Sequence, residues 1–295
     1  MSQSLRQIKS RINSTQNTKK IMRAMEMVSV SKLKKVQGPL HFSRRYFLKL
    51  DQLLRRLASN RENRVHPFLN RKANAQKAIL FVVAADTGLC GTYNNRMLDA
   101  AAKFLKEQKT KKEVQVIVVG KKAVNYFRKI GQPVLKSYID LYGRFSGELA
   151  QKITADLYAL CVENPQMDIF LAYTYFRSAL RLQPTVENLI SLESSHPQEG
   201  HANLQAGKSV EYIIEPDIAR VWDVLIPEYI QAKVRRVLLE AFTSEHSARV
   251  VAMKQATDNA KELLDILILL RNKLRQYSIT KEVIEIISAS EALKG

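Results

Sequence analysis

Glycine and proline are missing from both ends of this 295-residue chain. Neither occurs from Met1 to Gln37, and neither occurs from Glu228 to Lys294, a stretch of 67 residues. Because these two residues interrupt regular secondary structure, their absence predicts a long helix at each end. Nine of the ten glycines and all eight prolines lie between these stretches, which predicts a middle domain rich in turns.

Cysteines and long apolar runs are also scarce. Cys90 and Cys161 are too few for a disulfide framework and fit a reducing compartment. The most apolar run, Leu263 to Leu270, has eight residues, whereas a membrane-spanning helix needs about 20. The N-terminus lacks the apolar core of a signal peptide. We therefore expect no direct membrane span.

Acidic residues are few in the first quarter of the chain. Residues 1–76 hold 18 basic and 3 acidic side chains, residues 77–215 hold 17 and 14, and residues 216–295 hold 12 and 11. The net charge of +19 therefore comes mainly from the first segment. A basic arm of this kind favours an acidic protein partner, a polyanion or an anionic membrane surface.

Motifs for catalysis, cofactors or metals are not evident, so we expect no site of these kinds. The loop Asp86–Gly91 follows a predicted strand, but it matches neither the dinucleotide fingerprint nor the P-loop. We interpret it as a tight strand-to-helix turn. The five histidines show no metal-ligand spacing; they are His41, His66, His196, His201 and His246.

Apolar spacing defines the fold class. Both ends carry apolar residues three and four apart, which predicts amphipathic helices. Three apolar runs predict buried parallel strands alternating with helices near residues 93–108, 121–130 and 146–163; the runs are Ala78–Ala84, Val114–Val119 and Met167–Tyr173. Val186–Leu192 and Val210–Ile214 predict an antiparallel pair at one edge of the sheet, and Ser194–Lys208 predicts a polar loop.

These patterns predict an α/β fold in which a Rossmann-like domain is inserted into a long antiparallel two-helix coiled coil. The expected segments are 1–76 for the first helix and its linker, 77–215 for the α/β domain, and 216–295 for the second helix. The chain returns near its starting point after the insertion, so pairing of the two terminal helices would cover both apolar stripes.

Three separated motifs resemble the gamma subunit of F-type ATP synthases, in the bacterial form. They are RAMEMVSVSKL at Arg23–Leu33, SEHSARVVAMKQATDNA at Ser244–Ala260, and NKLRQYSITKE at Asn272–Glu282. The resemblance also covers the loop Asp86–Gly91. This sequence lacks the regulatory cysteine pair of the plant-plastid members of that family.

The resemblance implies a central-stalk rotor subunit without an active site of its own. Such subunits turn with the c-ring of Fo and drive the catalytic beta subunits through successive states during ATP synthesis or hydrolysis. The implied partners are the alpha and beta subunits of F1, in a 3:3:1 ratio with gamma, the epsilon subunit and the c-ring. The implied location is peripheral, at the cytoplasmic face of the bacterial plasma membrane.

The resemblance also implies a set of contacts with the beta subunit. The matching positions in this sequence are Arg23, Met25, Arg275, Gln276, Thr280 and Glu282. We expect them to affect torque and coupling rather than chemistry.

Two other functions stay open at the sequence level. A basic coiled-coil nucleic-acid-binding protein would account for the first helix. A nucleotide-dependent enzyme would need a ligand at the loop Asp86–Gly91.

Overall fold

The computed structural model describes residues 5–59, 66, 75–110, 112–164, 166–190, 214–215 and 217–292. Its regular elements are, in chain order, α1 (Leu5–Ser59), β1 (Lys77–Val83), α2 (Tyr93–Lys109), β2 (Glu113–Val119), α3 (Lys121–Lys129), β3 (Val134–Tyr138), α4 (Gly147–Glu163), β4 (Asp168–Ser178), β5 (Arg181–Asn188) and α5 (Ile218–Ala292). Among these described helices, none combines the length and the hydropathy that a membrane span requires. The chain divides into two compact units, Val30–Arg249 and Met1–Ser29 with Val250–Gly295.

A five-stranded sheet forms the centre of the larger unit. The strand order is β3-β2-β1-β4-β5, with the first four strands parallel and β5 antiparallel to β4. Strands β1, β2 and β4 are the three apolar runs of the sequence, so the prediction of a mainly parallel sheet is confirmed. Parallel strands have both faces buried, which explains why these runs are continuous and not alternating.

Helices cover both faces of the sheet. On one face, Ala78, Leu80 and Val82 of β1 pack against α2 and α3. On the other, Ile79, Phe81 and Val83 of β1 lie in a core with α4, the end of α1 and the start of α5. Successive strand residues point to opposite faces, so a single apolar strand supplies both cores.

Helices α1 and α5 pack together in each unit. In the larger unit they run antiparallel, since Arg44 contacts Glu240 while Asp51, further along α1, contacts Tyr229. In the smaller unit Ile8 and Ile12 pack with residues of α5, namely Leu264, Leu267, Ile268 and Leu274. The predicted pairing of the two terminal helices is confirmed.

The first helix does not end at Gly38-Pro39, where the sequence has its first interruption. Helix α1 includes Pro39 and continues to Ser59. Val36 and Leu40, on either side of this site, are buried against Leu239 of α5. Tertiary packing on both sides therefore outweighs the hydrogen bond that proline removes. Helix α5 likewise begins at Ile218 and includes Pro227.

The strands at the two edges of the sheet differ from prediction. Strand β3 was not predicted, because its sequence contains no continuous apolar run. Its three central residues, Leu135, Lys136 and Ser137, are exposed. Strand β5 is an edge strand that starts at Arg181, ends at Asn188 and pairs antiparallel with β4, whereas the sequence predicted a strand at Val186–Leu192 in an antiparallel pair with Val210–Ile214. The other predicted edge strand, at 210–214, lies outside the described residues except for Ile214, which is in no strand. The polar loop 194–208 also lies outside them.

Candidate functional site

Helix α5 crosses the edge of the sheet where the parallel strands end. Tyr93, at the start of α2, donates its hydroxyl hydrogen to the carbonyl oxygen of Ala241 at 3.1 Å. Ser244 Oγ donates to the carbonyl of Thr174 in β4 at 3.0 Å. In open α/β folds, ligands bind at this edge, where the strand order reverses around the first strand. Here that position is occupied by residues of α5 itself.

The carboxylate of Asp86 organises two loops at this edge. It accepts hydrogen bonds from backbone amides of Lys121 at 3.0 Å and of three residues after β3; these are Asp140 at 3.1 Å, Leu141 at 2.8 Å and Tyr142 at 2.7 Å. Asp140 and Tyr142 have positive φ angles of 64° and 50°, an uncommon conformation for residues other than glycine. Four donors converging on one carboxylate stabilise this conformation.

The loop Asp86–Gly91 is the strand-to-helix turn that the sequence predicted. It connects β1 to α2, and Leu89 and Gly91 adopt positive φ angles within it. Its conformation is supported from α2, where Asn94 Oδ1 accepts from the amide of Ala85 at 3.0 Å. Asp86, the first residue of the loop, accepts hydrogen bonds from backbone amides of the protein itself. Its carboxylate oxygens are therefore occupied by these amides and not by a ligand.

Three buried polar residues of α5, Glu245, His246 and Arg249, face these loops. Arg249 donates to Glu245 Oε1 at 2.8 Å, to Thr87 Oγ1 at 3.0 Å and to His246 Nδ1 at 3.2 Å. Since a guanidinium can only donate, Nδ1 of His246 must accept. The imidazole is therefore neutral, with its proton on Nε2, which lies 3.0 Å from the carbonyl oxygen of Gly143 and donates to it.

Burial sets the protonation of this group. It lowers the pKa of His246 to about 4, with the Gly143 carbonyl opposing the shift and the cations Arg249 and Lys32 adding to it. Burial also raises the pKa of Glu245, an effect opposed by Arg249. Oε2 of Glu245 has no hydrogen-bond partner within the described part of the chain. A neutral histidine thus sits between a buried ion pair and a backbone carbonyl.

Helix α1 reaches the same loop through Lys32. Its ammonium group donates to the carbonyl oxygen of Tyr142 at 3.3 Å. Burial, together with Arg144 and Arg249, lowers the pKa of Lys32. The loop after β3 is therefore bonded to the β1 loop, to α5 and to α1. We call these residues the edge cluster: Lys32, Asp86, Thr87, Tyr142, Gly143, Glu245, His246 and Arg249.

The edge cluster is suited to attaching α1 and α5 to the loops at the edge of the sheet. Both ring nitrogens of His246 are engaged, so the ring has no free position for a substrate proton. Cys90 is buried, and burial raises the pKa of its thiol, which disfavours the reactive thiolate. Over the described ranges, His, Cys, Asp and Glu form no group that could hold a metal ion.

Sequence reasoning missed the edge cluster as a site. The motif Ser244–Ala260 was singled out, but only through its resemblance to a family. The available signal was the placement of Glu245, His246 and Arg249 in a helix segment that is otherwise small and apolar. Their partners lie about 100 or 160 residues away in the chain, so the pairing could not be read from spacing.

The predicted partner-contact residues lie in the smaller unit. Arg23 in α1 is exposed and Met25 is half-buried. In α5, every residue from Arg275 to Ala292 is exposed, which includes Gln276, Thr280 and Glu282. No hydrogen bond or ion pair joins these six predicted residues to one another in the structure described.

Comparison with known proteins identifies the family. A family profile described as "ATP synthase" matches residues 4–293. The chain is 38% identical to the ATP synthase gamma chain of Halothermothrix orenii, over 99% of this chain and 100% of that one. It is 36% identical to the ATP synthase gamma chain of Geobacter metallireducens, over 99% of each.

Solved structures share the fold at lower identity. A chain of the Euglena gracilis mitochondrial ATP synthase, from an assembly described as OSCP/F1/c-ring, gives a TM-score of 0.68 at 17% identity; 98% of this chain and 94% of that chain are covered. A chain of the Tetrahymena thermophila mitochondrial ATP synthase, described as central stalk/c-ring, gives 0.60 at 18% identity, with 80% and 99% covered. With nearly its whole length matched by curated relatives of one kind, this chain belongs to the ATP synthase gamma-chain family.

Proposed function

We propose that this protein is the central-stalk rotor subunit of a proton-translocating F-type ATP synthase. The observation that carries the proposal is the family match over residues 4–293, in a chain whose paired terminal helices join an α/β domain. In this role the chain turns with the c-ring of Fo. Each catalytic beta subunit then adopts the state favoured by the face of the rotor that it meets.

The chemistry in this proposal belongs to the beta subunits. The chain itself contributes no active site and binds no cofactor. The edge cluster supports this division, because α5 occupies the sheet edge where an α/β enzyme would place its ligand. The family assignment gives no support to the nucleic-acid-binding alternative, and the basic residues of α1 suit acidic partner surfaces.

The partners follow from the same proposal. Three alpha and three beta subunits surround one copy of this chain, and the epsilon subunit and the c-ring contact its α/β domain. In this division residues 1–76 and 216–295 form the helical part and residues 77–215 the α/β domain. The assembly places the chain peripherally, at the cytoplasmic face of the bacterial plasma membrane.

The first test is reconstitution with the alpha and beta subunits of the same organism. We expect one copy of this chain per three alpha-beta pairs, measured by native mass spectrometry. We also expect ATP hydrolysis by the complex and none by this chain alone. A well-folded chain that does not associate, or that hydrolyses ATP by itself, would contradict the proposal.

The proposed beta contacts need their own test. We propose that Arg23, Met25, Arg275, Gln276, Thr280 and Glu282 contact beta loops. All but the half-buried Met25 are exposed, so alanine substitution should leave folding intact. We expect Arg275→Ala and Gln276→Ala to lower the ATP synthesis rate of the assembled enzyme. Lys261→Ala, at another exposed position of α5, is the matched control. Equal rates for all three variants and the unsubstituted enzyme would remove the proposed contact.

A further inference from the structure

Polar side chains attach α5 to the sheet and its loops at successive turns of the helix in the larger unit. Lys233 donates to the carbonyl oxygen of Asn188 at the end of β5, at 2.5 Å, and Arg236 donates to Glu187 in the same strand. Further along α5 the bonds are those of Glu240 and Ser244 with β4, of His246 with Gly143, and of Arg249 with Thr87. We call these residues of α5 the polar seam: Lys233, Arg236, Glu240, Ser244, His246 and Arg249.

The polar seam is buried, with each of its residues at most 6% exposed. A helix face that packs on a sheet is ordinarily apolar. Replacing buried ionic groups by apolar residues of similar size is often neutral or stabilising. Stability alone therefore does not explain why this face of α5 carries charged and polar groups.

Hydrogen bonds and apolar contacts constrain a helix differently. Apolar burial has no preferred direction, so it opposes separation of α5 from the sheet more than rotation or sliding of the helix. A hydrogen bond weakens steeply when its donor and acceptor lose alignment. The partners of Glu240, Ser244 and His246 are backbone groups of β4 and of the loop after β3. Because the sheet fixes these groups in space, each bond fits one position of α5.

The bonds of the polar seam are spread over the width of the sheet. They involve β5 at one edge, β4 beside it, and the loops after β1 and β3, of which β3 is the other edge strand. Along the helix, the distance from Lys233 to Arg249 is roughly 24 Å at a rise of about 1.5 Å per residue. Twisting the sheet about α5 would therefore strain several separate bonds at once.

Helix α1 is bonded to the same seam. Arg44 donates to both carboxylate oxygens of Glu240, at 2.6 and 2.7 Å, and also to the carbonyl oxygen of Phe176 in β4. Lys32 of α1 donates to the carbonyl oxygen of Tyr142, in the loop after β3. Both helices are thus attached to the sheet at the same strand and the same loop.

We propose that the polar seam is the joint that transmits torque between the α/β domain and the helices α1 and α5. The inference rests on the proposed rotor function, in which the c-ring acts on the α/β domain and the beta subunits meet the helical part. Torque then crosses from the sheet to α5 within this chain. Directional bonds at several points keep α5 from slipping on the sheet, so the polar seam consists of positioning residues that fix the angle between the domain and the helices.

The torsional stiffness of the assembled complex tests the proposal. The complex with alpha and beta subunits is fixed to a surface, and a bead is attached at Lys109→Cys, an exposed position at the end of α2; Cys90 and Cys161 are buried. With rotation arrested by removal of ATP, the angular fluctuation of the bead measures twist between the α/β domain and the held helices. We expect Glu240→Gln and Ser244→Ala to widen this fluctuation, because each weakens or removes a bond of the polar seam.

Val237→Ala is the matched control, because Val237 is fully buried in the same stretch of α5 but has an apolar side chain. It should lower the urea midpoint, measured by the fluorescence of Trp222, the chain's single tryptophan, which lies in the same core. The angular fluctuation of this control should equal that of the unsubstituted complex. ATP hydrolysis without load should be the same for all variants, whereas ATP synthesis by the complete enzyme should fall only for the variants of the polar seam.

The outcomes separate this inference from the rotor function itself. A complex that hydrolyses ATP without turning the bead would contradict the rotor function. A rotating complex in which Glu240→Gln and Ser244→Ala fluctuate no more than the unsubstituted chain would overturn the proposed joint. Equal widening by Val237→Ala would overturn it as well, because lost stability would then account for the effect. If Glu240→Gln does not assemble, an unchanged fluctuation for Ser244→Ala decides against the joint.

Discussion

Gly143 is subject to two constraints at once. Its φ angle is 65°, a region that side chains rarely adopt, and a Cβ placed on it would lie 2.5 Å from Nε2 of His246. Gly131 shares the first constraint, with φ of 71°, but a Cβ there would meet nothing within 4 Å. The two glycines therefore separate backbone strain from steric conflict.

We predict that Gly143→Ala destabilises the protein more than Gly131→Ala. Backbone strain at either position costs roughly 1–3 kcal/mol, and only Gly143→Ala adds the conflict with His246. Urea unfolding followed by Trp222 fluorescence measures both. In the double variant with His246→Ala, the conflict with the imidazole is absent and only the contact with Oε2 of Glu245 at 3.2 Å is left, so the effect of Gly143→Ala should fall towards that of Gly131→Ala. Equal effects of the two single substitutions would show that His246 does not fill this space.

His246 should make the protein sensitive to acid. The pKa is lowered to about 4 in the fold and is about 6.5 in an unfolded chain. The unfolded state therefore binds more protons between these values. This contribution is fully present above pH 6.5 and is lost as the pH falls to 4, by about 3 kcal/mol in all.

The test compares unfolding free energies from pH 4 to 7. We expect His246→Gln to lose this part of the acid sensitivity, because its side chain does not titrate. His41→Gln, at an exposed position of α1, should keep the wild-type slope. A wild-type slope in His246→Gln would assign the acid sensitivity to other groups.

Among the elements, Glu240 joins α5 to both α1 and β4. Its carboxylate accepts two hydrogen bonds from Arg44, at 2.6 and 2.7 Å, and one from the amide of Phe176 at 3.0 Å. The side chain is fully buried. Arg44 in turn donates to the carbonyl of Phe176, so one ion pair satisfies backbone groups of the sheet.

We predict that Glu240→Gln destabilises the larger unit by about 1.5–3 kcal/mol, because the hydrogen bonds from the partly exposed Arg44 lose their charged acceptor. Glu228→Gln is the control: Glu228 accepts from Tyr46 in the same helix pair, but at an exposed site, so its effect should stay within about 1 kcal/mol. Urea midpoints measure both. Similar losses for the two variants would contradict the distinction.

The sequence predicts those helices and strands in which the spacing of apolar residues matches the faces that are buried. Strands β1 and β2 are continuous apolar runs because both faces are buried, and α2 to α4 follow helical spacing. Strand β3 escapes prediction because its residues are mostly exposed. The sequence also does not predict that α1 continues beyond Pro39, because the continuation depends on packing against Leu239.

The candidate site is less predictable than the elements. Asp86 lies in a loop that the sequence predicts, but the four amides that donate to it lie 35 to 56 residues further along the chain. His246 likewise depends on the carbonyl oxygen of Gly143, which lies 103 residues earlier in the chain. Contacts between distant segments decide both sites, and a single sequence contains no measure of them.

At the scale of the whole molecule, the end of α5 contributes surface rather than core. Exposed apolar residues recur there, including Ile279, Val283, Ile284, Ile286 and Ile287. A helix that buries so little has little tertiary stabilisation of its own. We therefore expect backbone amides of residues 275–292 to exchange with solvent faster than those near Leu264, which is buried.

We predict that deletion of residues 275–295 leaves the fold of the remaining chain intact. The deleted side chains that are described are exposed, so little apolar burial is lost. Trp222 fluorescence and the urea midpoint should stay as in the full chain, while assembly with alpha and beta subunits should weaken. Leu264→Ala is the opposite control, costing roughly 2–5 kcal/mol in a buried position. Unfolding of the truncated chain would show that this segment supports the fold.

The helix that occupies the carboxyl edge of the sheet can be regarded as a tethered ligand. In other α/β proteins a molecule at this position exchanges with solution, and its occupancy depends on its concentration. Here Tyr93, Thr174 and Gly143 bind groups of α5 that belong to the same chain. Binding is then intramolecular, and the tether fixes the effective concentration. The contact of α5 with the edge therefore forms without any dissolved ligand, and its occupancy depends on the folding of the chain and not on the concentration of a free molecule.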